Sequence, residues 1–137
     1  MQAPASIDRT MARATTRSDT VLVDEWHGLL AAHARAHCAL ERALKPHDLG
    51  ISEFEVLERL AAGASEHLRM QELGQAVHLS QSALSRVVGR LEADGLATRG
   101  MCPEDRRGIY VGITDAGRER YETARPSHRA ALAETLG

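Results

Sequence analysis

Between residues 80 and 95 the apolar positions Leu84, Val87, Val88 and Leu91 recur in steps of three and four, the spacing that lines one face of an α-helix and buries it. The opposite face carries Ser82, Ser85, Arg86 and Gly89 at the same spacing. An ordinary solvated face would be dense in Glu and Lys. This one is short-chained and neutral or basic, smooth enough to lie against something flat or grooved and acidic. Ser80 reads as the N-cap, and Gly95 stands just past the end. Upstream, a short helix around Met70 to Val77 is separated from it by the three-residue turn His78-Leu79-Ser80. Leu73, Val77, Leu79, Leu84 and Val87 form a shared core, so the pair predicts a helix-turn-helix. Downstream, residues 96–99 and 108–113 alternate with period two around the turn-rich GMCPEDRRG, which predicts a hairpin. A helix-turn-helix followed by a hairpin is a winged helix.

The flanks have a different pattern. From Ser18 or Asp19 to about Lys45 a long helix is expected, its larger stripe being Leu22, Trp26, Leu29, His33, His37, Leu40 and Leu44, with alanines filling much of the rest. A helix of this length and Ala content exceeds what a small core needs and suggests close packing against a second chain. Pro46 should end it. Ser52 and Glu55 read as a capping box opening a helix with Phe54, Val56, Leu57 and Leu60 that closes near Gly63. Thr114 or Asp115 caps a last helical region, expected to be interrupted at Pro126. Residues 1–17 lack apolar periodicity and read as a flexible tail. The expected organisation is therefore a tail over 1–17, a dimerisation helix over 18–50, a winged helix-turn-helix over 51–113 and C-terminal dimerisation helices over 114–137. The fold class is mostly α with a small β-hairpin wing.

Composition changes this picture little. The 137 residues are 43% hydrophobic, 26% charged and 3% aromatic, an ordinary one-domain profile. No apolar run approaches the roughly 18 residues of a membrane span, and no basic start with a short apolar core suggests a secretory signal, so a cytoplasmic location without membrane contact is expected. The formal net charge of −2 argues against an acidic partner only until it is divided along the chain. Residues 80–113 hold five arginines against four acids and form the only positive segment past the tail. Overall charge is a weak guide when a small basic surface makes the contact. Cys38 and Cys102 are too far apart and too isolated for a disulfide framework or a zinc site.

The strings LGISEFEVLERLA, MQELGQAVHLSQSALSRVVGRLEADGLATR and CPEDRRGIYVGITDAG together resemble the MarR family of bacterial transcription regulators. The resemblance covers roughly residues 20–130. Its most specific parts are S-x-x-x-x-x-x-L-E-x-x-G-L and a D-x-R wing before a strand ending in x-T-x-x-G. It implies a homodimer interlocked through its first and last helices, a recognition helix in each major groove of double-stranded DNA, wing tips at the minor groove, and often a small-molecule or oxidant input. On this sequence it implies Ser82, Ser85, Arg86 and Arg90 in or beside the major groove and Arg106 or Arg107 in the wing, and the expected DNA-contacting set is these residues, both wing arginines included, with Ser80 and Gln81 at the start of the same helix. By the same resemblance Arg107 is the partner of Asp105. The expected function is a homodimeric, sequence-specific regulator, a repressor acting on pseudo-palindromic operators and relieved by a small aromatic ligand.

The residues themselves leave some alternatives open. The hydroxyls can donate to bases or phosphates and Arg86 can grip guanine through two hydrogen bonds. Gly89 suits either a backbone close to the duplex or close packing with a neighbouring helix. His33 and His37 share one face at i, i+4, but two histidines with no nearby acid on that face make an incomplete ligand set, and no metal or cofactor is expected. With Trp26 they could instead border a cavity for an aromatic ligand, or simply belong to the core. Cys38 or Cys102 would make the chain a redox-sensing regulator of the same fold, the alternative reading. An enzyme is not expected, because no Ser-His-Asp order, glycine-rich phosphate loop or paired carboxylates stand out. A winged helix used only for protein contacts would show an apolar outer face over residues 81–90, and this one is polar.

Overall fold

The computed structural model describes the backbone of residues 2–63, 67–102 and 105–137, and the side chains of residues 18–63, 67–101 and 108–137. In chain order the elements are α1 (Gln2–Leu44), a short 3-10 turn (Lys45–His47), α2 (Ile51–Ala62), β1 (His67–Arg69), α3 (Met70–Val77), α4 (Gln81–Ala93), β2 (Ala97–Cys102), β3 (Asp105–Ile113) and α5 (Asp115–Leu136). The architecture is mostly helical with a small antiparallel sheet, as the hydrophobic pattern predicts.

The core lies where the periodicities meet. Leu84, Val88 and Leu91 of α4 are fully buried against Leu73 of α3, Phe54, Leu57 and Leu60 of α2, Leu96 and Val111. Each such aliphatic side chain contributes roughly 1.5–3 kcal/mol of transfer free energy, so α4 is held by its inner face while its outer face is left uncommitted. Ser80 caps α4, its Oγ accepting from the Ala83 amide at 3.2 Å. At the other end Gly95 adopts φ +74°, the left-handed conformation that lets the chain reverse into β2 at no steric cost.

Four local features differ from expectation, each for a physical reason. The helical backbone of α1 begins at Gln2 rather than at Ser18 or Asp19, because residues 5–17 contain neither Gly nor Pro, and Pro4 falls in the first turn, where its missing N–H costs no hydrogen bond. Helix α2 starts one residue before Ser52, and the carboxylate that turns back on the N-cap is Glu53, whose Oε1 accepts from Gly50 N at 2.8 Å. The pair is thus displaced from the expected Ser52 and Glu55. Helix α5 runs unbroken through Pro126. The roughly 3 kcal/mol that an internal proline costs is offset by burial of Tyr121, Ala124, His128 and Ala131 on both sides of it, so 114–137 is one helix rather than two. Finally, the hairpin is part of a three-stranded sheet of order β1-β3-β2, in which Leu68 faces Val111 and Arg69 faces Tyr110 across β1 and β3.

Helix α5 is locked to the end of the sheet. Thr114 caps it, accepting from Gly117 N at 3.0 Å and donating to the Gly95 carbonyl at 2.8 Å. Gly117 itself passes so close to Leu96 that a Cβ there would stand 2.0 Å from the Leu96 carbonyl oxygen, which excludes any side chain at that position. From this anchor α5 packs back along α1. The burial of α1 is one-ended: Ala36, Leu40 and Leu44 are buried, whereas residues 21–30 are all exposed, with Val21, Leu22, Val23, Trp26, Leu29 and Leu30 between 46% and 65% accessible.

Candidate nucleic-acid interface

The outer face of α4 is built by subtraction. With Leu84, Val87, Val88 and Leu91 turned inward, the helical period leaves Gln81, Ser82, Arg86 and Arg90 exposed and Ser85 and Gly89 half-buried. Among the described residues neither Arg86 nor Arg90 has an acidic partner, so two guanidinium groups are uncompensated on this side of the molecule. The residues expected to touch DNA do not behave alike. Ser80 is occupied as the N-cap and shares a hydrogen bond with Ser82 Oγ at 3.3 Å. The amide of Gln81 rests over α3, its Nε2 lying 2.6 Å from where a Cβ on Gly74 would be. Arg90 points to the flank of the helix, where it borders a cleft with Val87. That leaves Ser82 and Arg86 as the most outward pair. The side chains of Arg106, Arg107 and Cys102, and with them the expected Asp105–Arg107 pairing, lie outside the described residues.

A residue that the sequence did not single out organises the other flank. Arg99 on β2 reaches across to α4, where its Nε and Nη2 donate to Glu92 Oε1 at 2.9 and 2.8 Å and its Nη1 donates to Ser85 Oγ at 3.3 Å. Its guanidinium also settles the surroundings of Gly89, where a Cβ would meet Arg99 Nη2 at 3.6 Å, an ordinary contact. The neighbour at Gly89 is therefore a strand arginine and not a second helix. The sequence signal was present in the seven-residue spacing of Glu92 and Arg99 across the Gly95 turn. At the base of the wing Arg69 Nε donates to Tyr110 Oη at 3.1 Å, tying β1 to β3.

The three residues expected to border a ligand cavity are only partly brought together. His33 and His37 lie with ring centroids 5.6 Å apart, tilted by 33°, and, contrary to the expectation of no acid on that face, His37 Nδ1 lies 2.9 Å from Glu41 one turn further along it. An open cleft of about 810 Å³ lies between α1, the N-terminus of α2 and α4, and His37 lines it together with Cys38, Glu41, Arg42, Val87 and Arg90. Trp26 and His33 are not on its wall. Arg42 Nη2 donates to Cys38 Sγ at 3.7 Å along the same helix.

Below the cleft a polar cluster joins α5 to α2. His128 stacks on Phe54 at 4.2 Å, and Arg129 Nη1 donates to its Nδ1 at 2.7 Å. A guanidinium has no acceptor to offer, so His128 is neutral there with its proton on Nε2. Burial, reinforced by the Arg129 charge, pushes this imidazole below the ordinary histidine range. Glu58 accepts from Tyr121 Oη at 3.1 Å and is ion-paired with Arg129. Burial pushes its carboxyl up, but Arg129 and Tyr121 outweigh it and hold Glu58 below the usual carboxylate range. Arg129 is in turn raised, chiefly by its bond to Glu58.

A family model described as MarR family matches residues 47–108, the span from the 3-10 turn to the wing. The crystal structure of AbsC, a MarR family transcriptional regulator from Streptomyces coelicolor, superposes with a TM-score of 0.76 at 30% identity, covering 81% of this chain and 75% of that one. The chain belongs to the MarR family. Sco3205, a MarR family transcriptional regulator from the same organism whose structure was determined in complex with DNA, gives a TM-score of 0.76 at 30% identity over 81% of this chain and 70% of its own. The HTH-type transcriptional regulator YkoM of Bacillus subtilis is 30% identical over 95 residues, or 69% of this chain. This MarR-family chain spans 60% of YkoM's length. Among the described residues no helix is long and apolar enough to cross a membrane.

Proposed function

We propose that this MarR-family protein is a sequence-specific regulator of transcription that binds double-stranded DNA as a homodimer. The observation that carries this reading is the outer face of α4, where Ser82 and Arg86 are exposed and Arg86 has no acidic partner among the described residues, on a helix whose inner face is wholly committed to the core. A cation left bare on a rigid helix costs little in water and gains a charge-assisted bond when a phosphate or a guanine edge arrives. The partner in the dimer is a second copy of this chain, seated on the exposed apolar end of α1 with α5 beside it. Contiguous exposed Val, Leu and Trp on one helix favour association over solvation, and a two-fold axis presents two α4 helices to half-sites about 10–10.5 base pairs apart. Arg106 and Arg107 add contacts from the wing. The chain acts as a repressor, and a small aromatic ligand in the cleft bordered by His37 and Arg90 relieves it, because occupancy there changes how α4 sits against α1.

A binding selection from a randomised duplex pool, followed by gel shift with the enriched sequence and sedimentation of the free protein, tests this reading. Enrichment of a palindromic pattern by a dimer supports it. A monomer at micromolar concentration, or a pool that stays random, rejects it.

A second reading has one observation in its favour. Cys38 is exposed on the cleft wall with Arg42 donating to its sulfur, which places a thiol where oxidation would alter the same joint. If peroxide releases DNA from the wild type and from Cys38→Ser alike, Cys38 is not the sensor, and Cys102 is the next thiol to replace.

A further inference from the structure

The hydrogen bonds of Ser85 make it more than one more polar residue on α4. Its Oγ accepts from Arg99 Nη1 at 3.3 Å. A hydroxyl carries one proton and two acceptor positions, and the usual fate of a serine proton inside a helix is donation to the carbonyl four residues back. Thr135 does that to Ala131, at 2.8 Å. Ser85 does not: among the described residues its proton has no acceptor. Arg99, meanwhile, is held in place by its two bonds to Glu92 Oε1. Its charge is matched by the 2.8 Å ion pair, in which the side chains of Arg99 and Glu92 are 28% and 35% exposed. It is therefore a poor candidate for a phosphate contact and a good one for a fixed strut. Gly89 completes the arrangement, since position 89 lies between Ser85 and Glu92 on the same stripe and its lack of a side chain leaves the guanidinium room to lie along the helix.

We infer that Arg99 is a positioning residue for sequence readout. By occupying an acceptor position of Ser85, with Glu92 as its anchor, it turns the Ser85 hydroxyl proton away from the protein and makes Ser85 a committed donor toward the DNA. The committed donor selects a base edge that presents an acceptor in the major groove, which guanine, adenine and thymine do and cytosine does not. Without Arg99 the hydroxyl can rotate, donate to the Gln81 carbonyl and lose its selectivity. This inference rests on the proposed DNA binding, and it adds a coupling in which the wing strand β2 orients a side chain on the recognition helix.

Full-length wild type, Ser85→Ala, Arg99→Gln, Glu92→Gln and the Ser85→Ala/Arg99→Gln double variant should each be taken through selection on a randomised duplex pool, with Kd measured for the enriched duplex and its single-base variants. Expected is loss, by about fivefold, of discrimination against cytosine at one position per half-site in both Ser85→Ala and Arg99→Gln, the scale of one neutral hydrogen bond. The double variant should be no worse than either single, and Glu92→Gln should show a partial loss at the same position. The salt dependence should be unchanged by Arg99→Gln. A preference that survives in Arg99→Gln with uniformly weaker binding and a salt slope smaller by about one would make Arg99 a phosphate contact and overturn the inference. Additive effects in the double variant would also overturn it. So would an unchanged preference in both Ser85→Ala and Glu92→Gln, a result available even if Arg99→Gln does not fold. A wild type that enriches no sequence would instead reject the proposed function, and this inference with it.

Discussion

Among the described residues, helices α1 and α4 each leave one face without a partner in the protomer, and the two faces are opposites. On α1 the bare face is apolar, with Trp26 57% and Leu29 65% exposed. On α4 it is serine and arginine, over an inner face that is completely buried. Apolar side chains in water favour association with any surface that removes them from it, whereas uncompensated guanidinium groups are well solvated until a matching acceptor appears. The first face calls for a permanent partner and the second for a reversible one. The proposed dimer, which would stay assembled while it binds and releases DNA, requires that pairing.

The comparison can be broken most severely from the inside of α4. Leu84→Ala should cost about 2–5 kcal/mol of stability through the cavity it leaves, measured by urea unfolding, while the same truncation at exposed Leu29 should leave the protomer's own packing intact. Equal losses at the two positions would mean that the two helices are not held differently. Next in size is the apolar face: Trp26→Asp should give a monomer in sedimentation and weaken binding to a two-half-site duplex about a hundredfold, by removing the linkage of two modest half-site contacts. Retained dimers would place the partner elsewhere. Arg86→Ala should cost roughly 1–3 kcal/mol of DNA binding and relax preference at one base position per half-site with unchanged thermal stability. Unchanged affinity for both the selected and a scrambled duplex would remove Arg86 from the interface.

The smallest effect concerns the joint between the two regions. His128 packs on Phe54 beneath the α1–α5 pair, and burial and then Arg129 lower its proton affinity in the folded state. The unfolded chain therefore takes up the proton first. The stability that neutral His128 contributes is fully present above about pH 6.5 and is lost as pH falls from there toward the folded value. Glu58, also lowered, keeps its full contribution above the ordinary carboxylate range and loses it as pH falls through that range toward the folded value. Melting temperature should accordingly fall between about pH 7.5 and about pH 5.5 in the wild type and be flatter in His128→Asn. An identical slope in the variant would assign the effect to another group.

Much of α2, α3 and α4 was legible because the determinants are local. The apolar steps of α4, the Ser80 cap and the Gly95 reversal each act within one or two turns, and Ser82 and Arg86 follow from them as the outward face. What was not legible depends on distant residues. His67-Leu68-Arg69 has no period of its own and becomes β1 only because β3 offers Val111 and Tyr110 some forty residues later. Pro126 reads as a break from its local cost, and α5 continues because its packing on α1 and α2 outweighs that cost. Arg99 falls in the expected strand over 96–99 with nothing local to mark it, and meets Glu92 only because the Gly95 turn folds β2 back beside α4. Trp26, His33 and His37 share a stripe in sequence, yet that stripe spans about three helical turns, and only its lower end reaches the cleft.

The three-residue strand β1 has a consequence for how much this chain can be edited. With the ladder order β1-β3-β2, a single residue inserted between His67 and Arg69 would turn Leu68 from the core side of the sheet to the solvent side, since side chains alternate across a strand. It would also slide Arg69 off Tyr110 and move the start of α3, which follows without a spacer at Met70. Insertions that a loop of this apparent size would ordinarily absorb are therefore forbidden here, and a deletion-and-insertion scan should find residues 67–70 as intolerant of length change as the core helices that flank them.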